Sequence, residues 1–192
     1  RCLGAAAEIM EDQRSALLTD PLSQKLAKRA RSILNREIPR QKARQPGQVK
    51  QRFLSAITHK GPVCLYGTAL AQCGRAYVLT DNCGLAHELL IHLLAGATAN
   101  GYNVVACPDP MAPDRLAHLL IPQLGLAFLT STADLPFPGE PGRRIRLDTA
   151  AEGEVLRRSR PRLRFAKKVS AALVEEAVSS LAQAKAMHDD LE

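Results

Sequence analysis

The stretch Tyr77–Leu94, YVLTDNCGLAHELLIHLL, constrains the fold more than any other part of this chain. An apolar, strand-like run ends in a polar turn with a single glycine, and an amphipathic helix starts at once. The same grammar continues on both sides. Val63–Tyr66 reads as a short strand and Ala76–Thr80 as a stronger one. Gly84–Ala99 is predicted as a helix with Leu85, Leu89, His92/Leu93 and Gly96 on one side, closed by Asn100-Gly101. Asn103–Cys107 is a buried strand, and PDPMAPD is a loop leading to a helical turn around Arg115. Leu119–Ile121 and Leu124–Thr130 are further strands, and Arg144–Leu147 is a last short one after the surface loop ADLPFPGEPG. Strands alternating with helices predict a three-layer α/β domain, a parallel sheet with helices on both faces.

The flanks are helical. Residues 3–17 are Ala-rich, and Asp20-Pro21 starts a helix whose apolar face is Leu22, Leu26, Ala30 and Ile33. Arg40–Lys50, with Pro46-Gly47, reads as a linker. Residues 1–50 are therefore expected to be a helical segment and linker, and residues 51–192 the α/β domain. From Arg162 onward Ala166, Val169, Leu173, Ala177, Leu181, Ala184, Met187 and Leu191 recur every three or four positions, the pattern of one long helix. The chain begins with Arg1 and ends inside that helical run, as a segment of a longer polypeptide would.

Charge is unevenly placed. Residues 25–52 carry ten Lys/Arg against Glu37 alone, and residues 143–168 carry ten against three acids. Between residues 76 and 135 Arg115 is the one basic residue, facing five acids. The five cysteines, Cys2, Cys64, Cys73, Cys83 and Cys107, form no C-x-x-C pair, which suits a reducing, cytoplasmic setting better than a disulfide framework. No apolar run approaches the roughly 20 residues that span a bilayer, and no signal-peptide pattern is present.

The turn after Ala76–Thr80 stands where a phosphate-binding loop stands. Laying G-x-x-x-x-G-K-[ST] on the chain aligns it with Asp81-Asn82-Cys83-Gly84-Leu85-Ala86-His87-Glu88. Asp81 and Ala86 replace both motif glycines, His87 the lysine, and Glu88 the Mg²⁺-binding hydroxyl. Two added carboxylates oppose a triphosphate, since a like-charge contact at 4 Å costs about 4 kcal/mol at an effective dielectric near 20. The strand expected to carry a Mg²⁺-organising acid ends AFLTST, with no acid before Asp134. Hydrolysis is not expected.

Three stretches, RFLSAITHKG (52–61), GYNVVACPDPMAPDRLAHLLIPQLGLAFLTS (101–131) and AQAKAMHDDLE (182–192), together resemble a bacterial family of ATPases in which two P-loop NTPase-like halves are joined in one chain. The resemblance covers about residues 50–192. It implies P-loop ancestry, a preceding half of the same polypeptide as partner, and ATP with Mg²⁺ as the ligand of better-equipped halves. The departures at Asp81, Ala86, His87 and Glu88 argue against that ligand here. The expectation is a degenerate, non-hydrolysing half that supports or regulates an ATP-binding one. A ligand, if bound, is expected at Asn82, Cys83, Gly84, Leu85, Ala86 and His87, with Arg115 as the central cation. Two other readings stay open. One is a module binding nucleic acid or another polyanion through the basic flanks Lys25–Arg52 and Arg157–Lys168. The other is a metal or redox site built on Cys83, His87, Cys107 and His118.

Overall fold

A computed structural model describes the whole chain except residues 43, 44, 151, 152 and 192. Two helices come first, α1 (Cys2–Leu17) and α2 (Asp20–Glu37). In α2, Thr19 takes the N-cap position, so the expected cap Asp20 falls in the first turn, where its charge complements the helix dipole beside Pro21. Leu22, Leu26, Ala30 and Ile33 are the buried face of that helix, as their spacing predicts.

The sheet has six strands: β1 (Val49–Gln51), β4 (Arg75–Thr80), β5 (Val104–Pro108), β6 (Leu116–Ile121), β7 (Leu126–Ser131) and β8 (Arg143–Arg146). A hairpin of β2 (Ser55–Thr58) and β3 (Gly61–Cys64) stands apart from it. The spatial order is β1-β5-β6-β7-β4-β8. The pairs β1/β5, β7/β4 and β4/β8 are parallel, while β6 runs antiparallel to both its neighbours. The fold is therefore mixed α/β with a mostly parallel sheet.

The strand β6 corrects the all-parallel expectation. A parallel crossover takes a dozen or more residues. Only seven residues separate β5 from β6, and Pro122–Gly125 turns the chain from β6 into β7, with Gly125 at φ 58°. Such connections return a strand alongside its predecessor, not over the sheet. The PDPMAPD segment correspondingly forms turns and no helix around Arg115. Val63–Tyr66 is a second correction: Val63 and Cys64 belong to the separate hairpin, and Tyr66 opens α3 (Tyr66–Gln72).

Two apolar clusters flank the sheet. On one face α2 and α4 (Ala86–Ala99) pack on Tyr77, Leu79, Leu119, Ile121 and Phe128. On the other, Tyr66 and Ala69 of α3 and Cys73 just after it join Leu54 and Phe137 over Ala76, Val78, Ala127 and Leu129. These are opposite faces because side chains alternate along a strand. The boundary expected at residue 51 falls inside β1, and α2 shares the core of the sheet. The expected linker is pinned as well, since Gly47 N–H donates to Thr98 O at 2.8 Å and a Cβ on Gly47 would meet Tyr102 O at 1.8 Å.

The last helix, α5 (Gly153–Asp189), starts earlier than the expected Arg162 and runs through Pro161. It packs against α1 and touches the hairpin. Leu163, Ala166 and Ser170 are buried, but residues 181–191 are exposed, so the apolar stripe expected to continue to Leu191 is covered only in part. The lengths explain this: a 16-residue α1 spans about 24 Å and a 37-residue α5 about 55 Å at 1.5 Å per residue.

Candidate functional site

A cavity of about 500 Å³ opens at the C-terminal ends of β4, β5 and β7. The loop after β4 forms its floor, the β2–β3 hairpin and the 109–117 segment its sides, and α1 and α5 its cover. Open α/β sheets commonly hold ligands at this edge.

The polar turn of the loop follows from Asp81, one of few buried polar residues, at 3% exposure. Its Oδ1 accepts the Cys83 N–H at 3.0 Å and its Oδ2 the Ala86 N–H at 2.7 Å. Burial pushes the Asp81 carboxyl above its ordinary range, while the N–H groups of Leu85, Ala86 and Cys83 pull it back down. A second carboxylate, Asp148, accepts the Asn82 N–H at 2.9 Å and the Asn82 side-chain amide at 2.8 Å. The loop amides that a phosphate nest would use are thus divided between two carboxylates. The anions they hold are the chain's own.

The mouth of the loop is covered too. Gly84 adopts φ +73°, and a Cβ there would lie 2.5 Å from Cδ of Arg14, so the stem of Arg14 rests directly on the turn. Arg14 is paired with Glu11 of the same helix. Arg115 donates to Gly84 O at 3.2 Å and lies 3.5 Å from Glu88 and 3.6 Å from Glu11. The central cation is therefore shared between two carboxylates and a carbonyl. His87, in the lysine position of the motif, accepts the Leu116 N–H at Nδ1 at 2.9 Å. Burial lowers its pKa below the ordinary histidine value, followed in weight by repulsion from Arg115. It joins the start of α4 to β6 as a neutral acceptor.

Of the seven residues expected to bind a ligand, Asn82, Gly84, Ala86, His87 and Arg115 line the cavity. Cys83 and Leu85 turn into the core on the α4 face instead. The four residues of the metal reading do not converge: Cys83 packs on one face of the sheet and Cys107 on the other. Among the described residues no group of three or more His, Cys, Asp or Glu is placed to hold a metal ion.

A second polar cluster in the cavity, around His118, carries no signal in the local sequence. Ser55 Oγ lies 3.0 Å and Cys64 Sγ 3.6 Å from its Nε2, and the Tyr66 ring stands edge-on at 6.0 Å. The set resembles a nucleophile with its base, but the protons are wrongly placed. The Thr130 N–H donates to Nδ1 at 3.0 Å, so Nδ1 holds a lone pair and the neutral ring carries its proton on Nε2. Nε2 is then a donor toward Ser55 and Cys64 and takes a proton from neither. Burial lowers the His118 pKa to about 4 and raises that of the Cys64 thiol, which disfavours both imidazolium and thiolate. The cluster joins the hairpin to β6 and β7. It is not a catalytic dyad.

Comparison of the chain with family models, with curated proteins and with solved structures finds no significant match in any of the three. Among the described residues no helix is long and apolar enough to cross a membrane.

Proposed function

We propose that this chain is a degenerate, non-hydrolysing P-loop-like half that supports or regulates an ATP-binding half of the same polypeptide. One observation carries the first part: the amides that would cradle a phosphate are bonded to Asp81 and Asp148. A phosphate entering the loop would meet two carboxylates, displace satisfied hydrogen bonds and lift Arg14 from Gly84. These exchanges are unfavourable or neutral, and the cations that line the cavity, Arg14, Arg115 and Lys167, would have to outweigh them; Arg14 and Arg115 are already paired with carboxylates. The acid-free end of β7, Thr130-Ser131-Thr132, leaves no carboxylate there to organise Mg²⁺. The resemblance of residues 52–61, 101–131 and 182–192 to tandem ATPases supplies the partner half.

Calorimetric titration of the folded chain with Mg-ATP, Mg-GTP and ADP tests the proposal. No binding heat is expected with any of them. Micromolar binding of one would show that the loop rearranges to admit phosphate and would overturn the proposal.

A further inference from the structure

Away from the loop, on the opposite edge of β4 from β7, lies a small cleft between α2 and β8. Its volume is about 110 Å³, and it is lined by Arg29, Ser32 and Arg36 of α2 and Arg143 of β8, over Ile33 and Ile145. Three arginines line it, and among the described residues no carboxylate does; Arg36 is paired with Glu37, and the Arg143 guanidinium stands over the Tyr77 ring, 5.9 Å from its centroid. Arg29 is half-buried, and among the described residues its side chain donates to the carbonyl of Arg146, at 3.4 Å. Burial and the proximity of Arg143 both act against its charge. Glu37 stands at the rim, but it is engaged by Arg36 at 2.9 Å, Arg75 at 3.2 Å and the Tyr77 hydroxyl. That carboxylate is thus shared among three donors.

The cleft is part of a longer stripe. Lys25, Arg29, Ser32 and Arg36 recur along one face of α2 and cover about 16 Å of helix. Lys25 reaches the Ala150 carbonyl, and Arg29 reaches that of Arg146, so this face runs beside β8 and the turn that follows it. Arg144 and Arg146 alternate with Arg143 and Ile145 along the edge strand and so face the other side of the sheet. Edge strands often carry basic residues to discourage pairing with another sheet, and that explains Arg144 and Arg146. It does not explain why Arg29 and Arg36 of a neighbouring helix line one cleft with Arg143, when among the described residues only Arg36 of the three has an ion pair.

We propose that the cleft between α2 and β8 binds the phosphate backbone of a nucleic acid, without sequence preference. Arginine forks suit phosphate oxygens, and the Ser32 hydroxyl adds a neutral donor. The linear stripe favours a chain of phosphates over a single one. Among the described residues no aromatic side chain lines the cleft to stack on a base, so base identity is not read.

The test is fluorescence anisotropy of the full chain with labelled mixed-sequence single-stranded and duplex oligonucleotides, across a salt series. Three phosphate contacts to a duplex give a salt slope near −2.7, about a 40-fold loss of affinity between roughly 50 and 200 mM salt. The variant Arg29→Gln/Arg143→Gln is expected to remove about two units of that slope. Arg160→Gln/Arg164→Gln on α5 is expected to leave it unchanged, and a melting curve confirms that each variant is folded. Arg29→Lys, which keeps the charge, is expected to retain most of the binding. Absence of oligonucleotide binding at low salt would overturn the assignment, even with inorganic phosphate bound. So would binding that survives Arg29→Gln/Arg143→Gln or is lost in the α5 variant.

Discussion

The loop after β4 and the cleft beside β8 lie on the same sheet and have opposite electrostatic logic. The loop has the shape of an anion site, with a strand end, a positive-φ glycine and backbone amides before a helix, yet Asp81 and Asp148 already fill it. The cleft has no such architecture; three arginines line it, and among the described residues only Arg36 of these has an ion pair, with Glu37. Shape alone would send a ligand to the first; charge sends it to the second. Where an anion binds depends on which donors are left without a partner, and backbone form settles that only when the side chains leave the donors free.

The largest effect expected in breaking that contrast is Asp81→Ala. It strands the Cys83 and Ala86 N–H groups in a buried turn, a loss of about 4 kcal/mol of unfolding free energy at 1–3 kcal/mol per unsatisfied donor. Urea unfolding measures it, and a loss below about 1 kcal/mol would mean that the carboxylate is not the anion of the nest. Next comes acid. His118 has a folded pKa of about 4 against an ordinary value near 6.5, so the unfolded chain binds the extra proton between those values. Stability from this group is full above pH 6.5 and falls by about 3 kcal/mol as pH drops to 4. An NMR titration of the ring should show no protonation of His118 above pH 5; a midpoint near 6.5 would contradict its burial as a neutral acceptor.

Asp148→Asn should cost less, about 1 kcal/mol, because the Asn82 pair it holds is only partly buried. A loss as large as that of Asp81→Ala would make Asp148 the principal anion of the loop. The smallest change belongs to the cleft. Arg143→Gln relieves repulsion on Arg29 but gives up the contact of the Arg143 guanidinium with the Tyr77 ring, so the two effects offset and the melting temperature should stay level. A clear fall would mean that the contact with Tyr77 outweighs the repulsion and that the cleft is not short of negative charge.

Much of this was legible in the residues. The 3.6-residue spacing on α2 gave its buried face, and the strand-turn-helix at 77–94 located the loop and the sheet edge, with Arg115 as the cation beside it. Other features had no local signature. The covering of the loop by Glu11 and Arg14 joins residues some 70 positions apart, and the His118 cluster draws on four separate segments. Asp81 was read as a repulsive charge facing a ligand, when its side chain folds back onto its own loop; periodicity cannot distinguish these. The reversal at β6 was encoded in two short connections, and strand-helix alternation elsewhere masked it.

The central claim is that the loop amides are occupied from within. The most direct measurement is an amide NMR titration with Mg-ATP, following Asn82, Cys83, Leu85 and Ala86. With the carboxylates of Asp81 and Asp148 in place, none of these four signals should move as nucleotide is added. Saturable shifts of all four would mean that phosphate displaces the carboxylates and that the loop is a working nucleotide site.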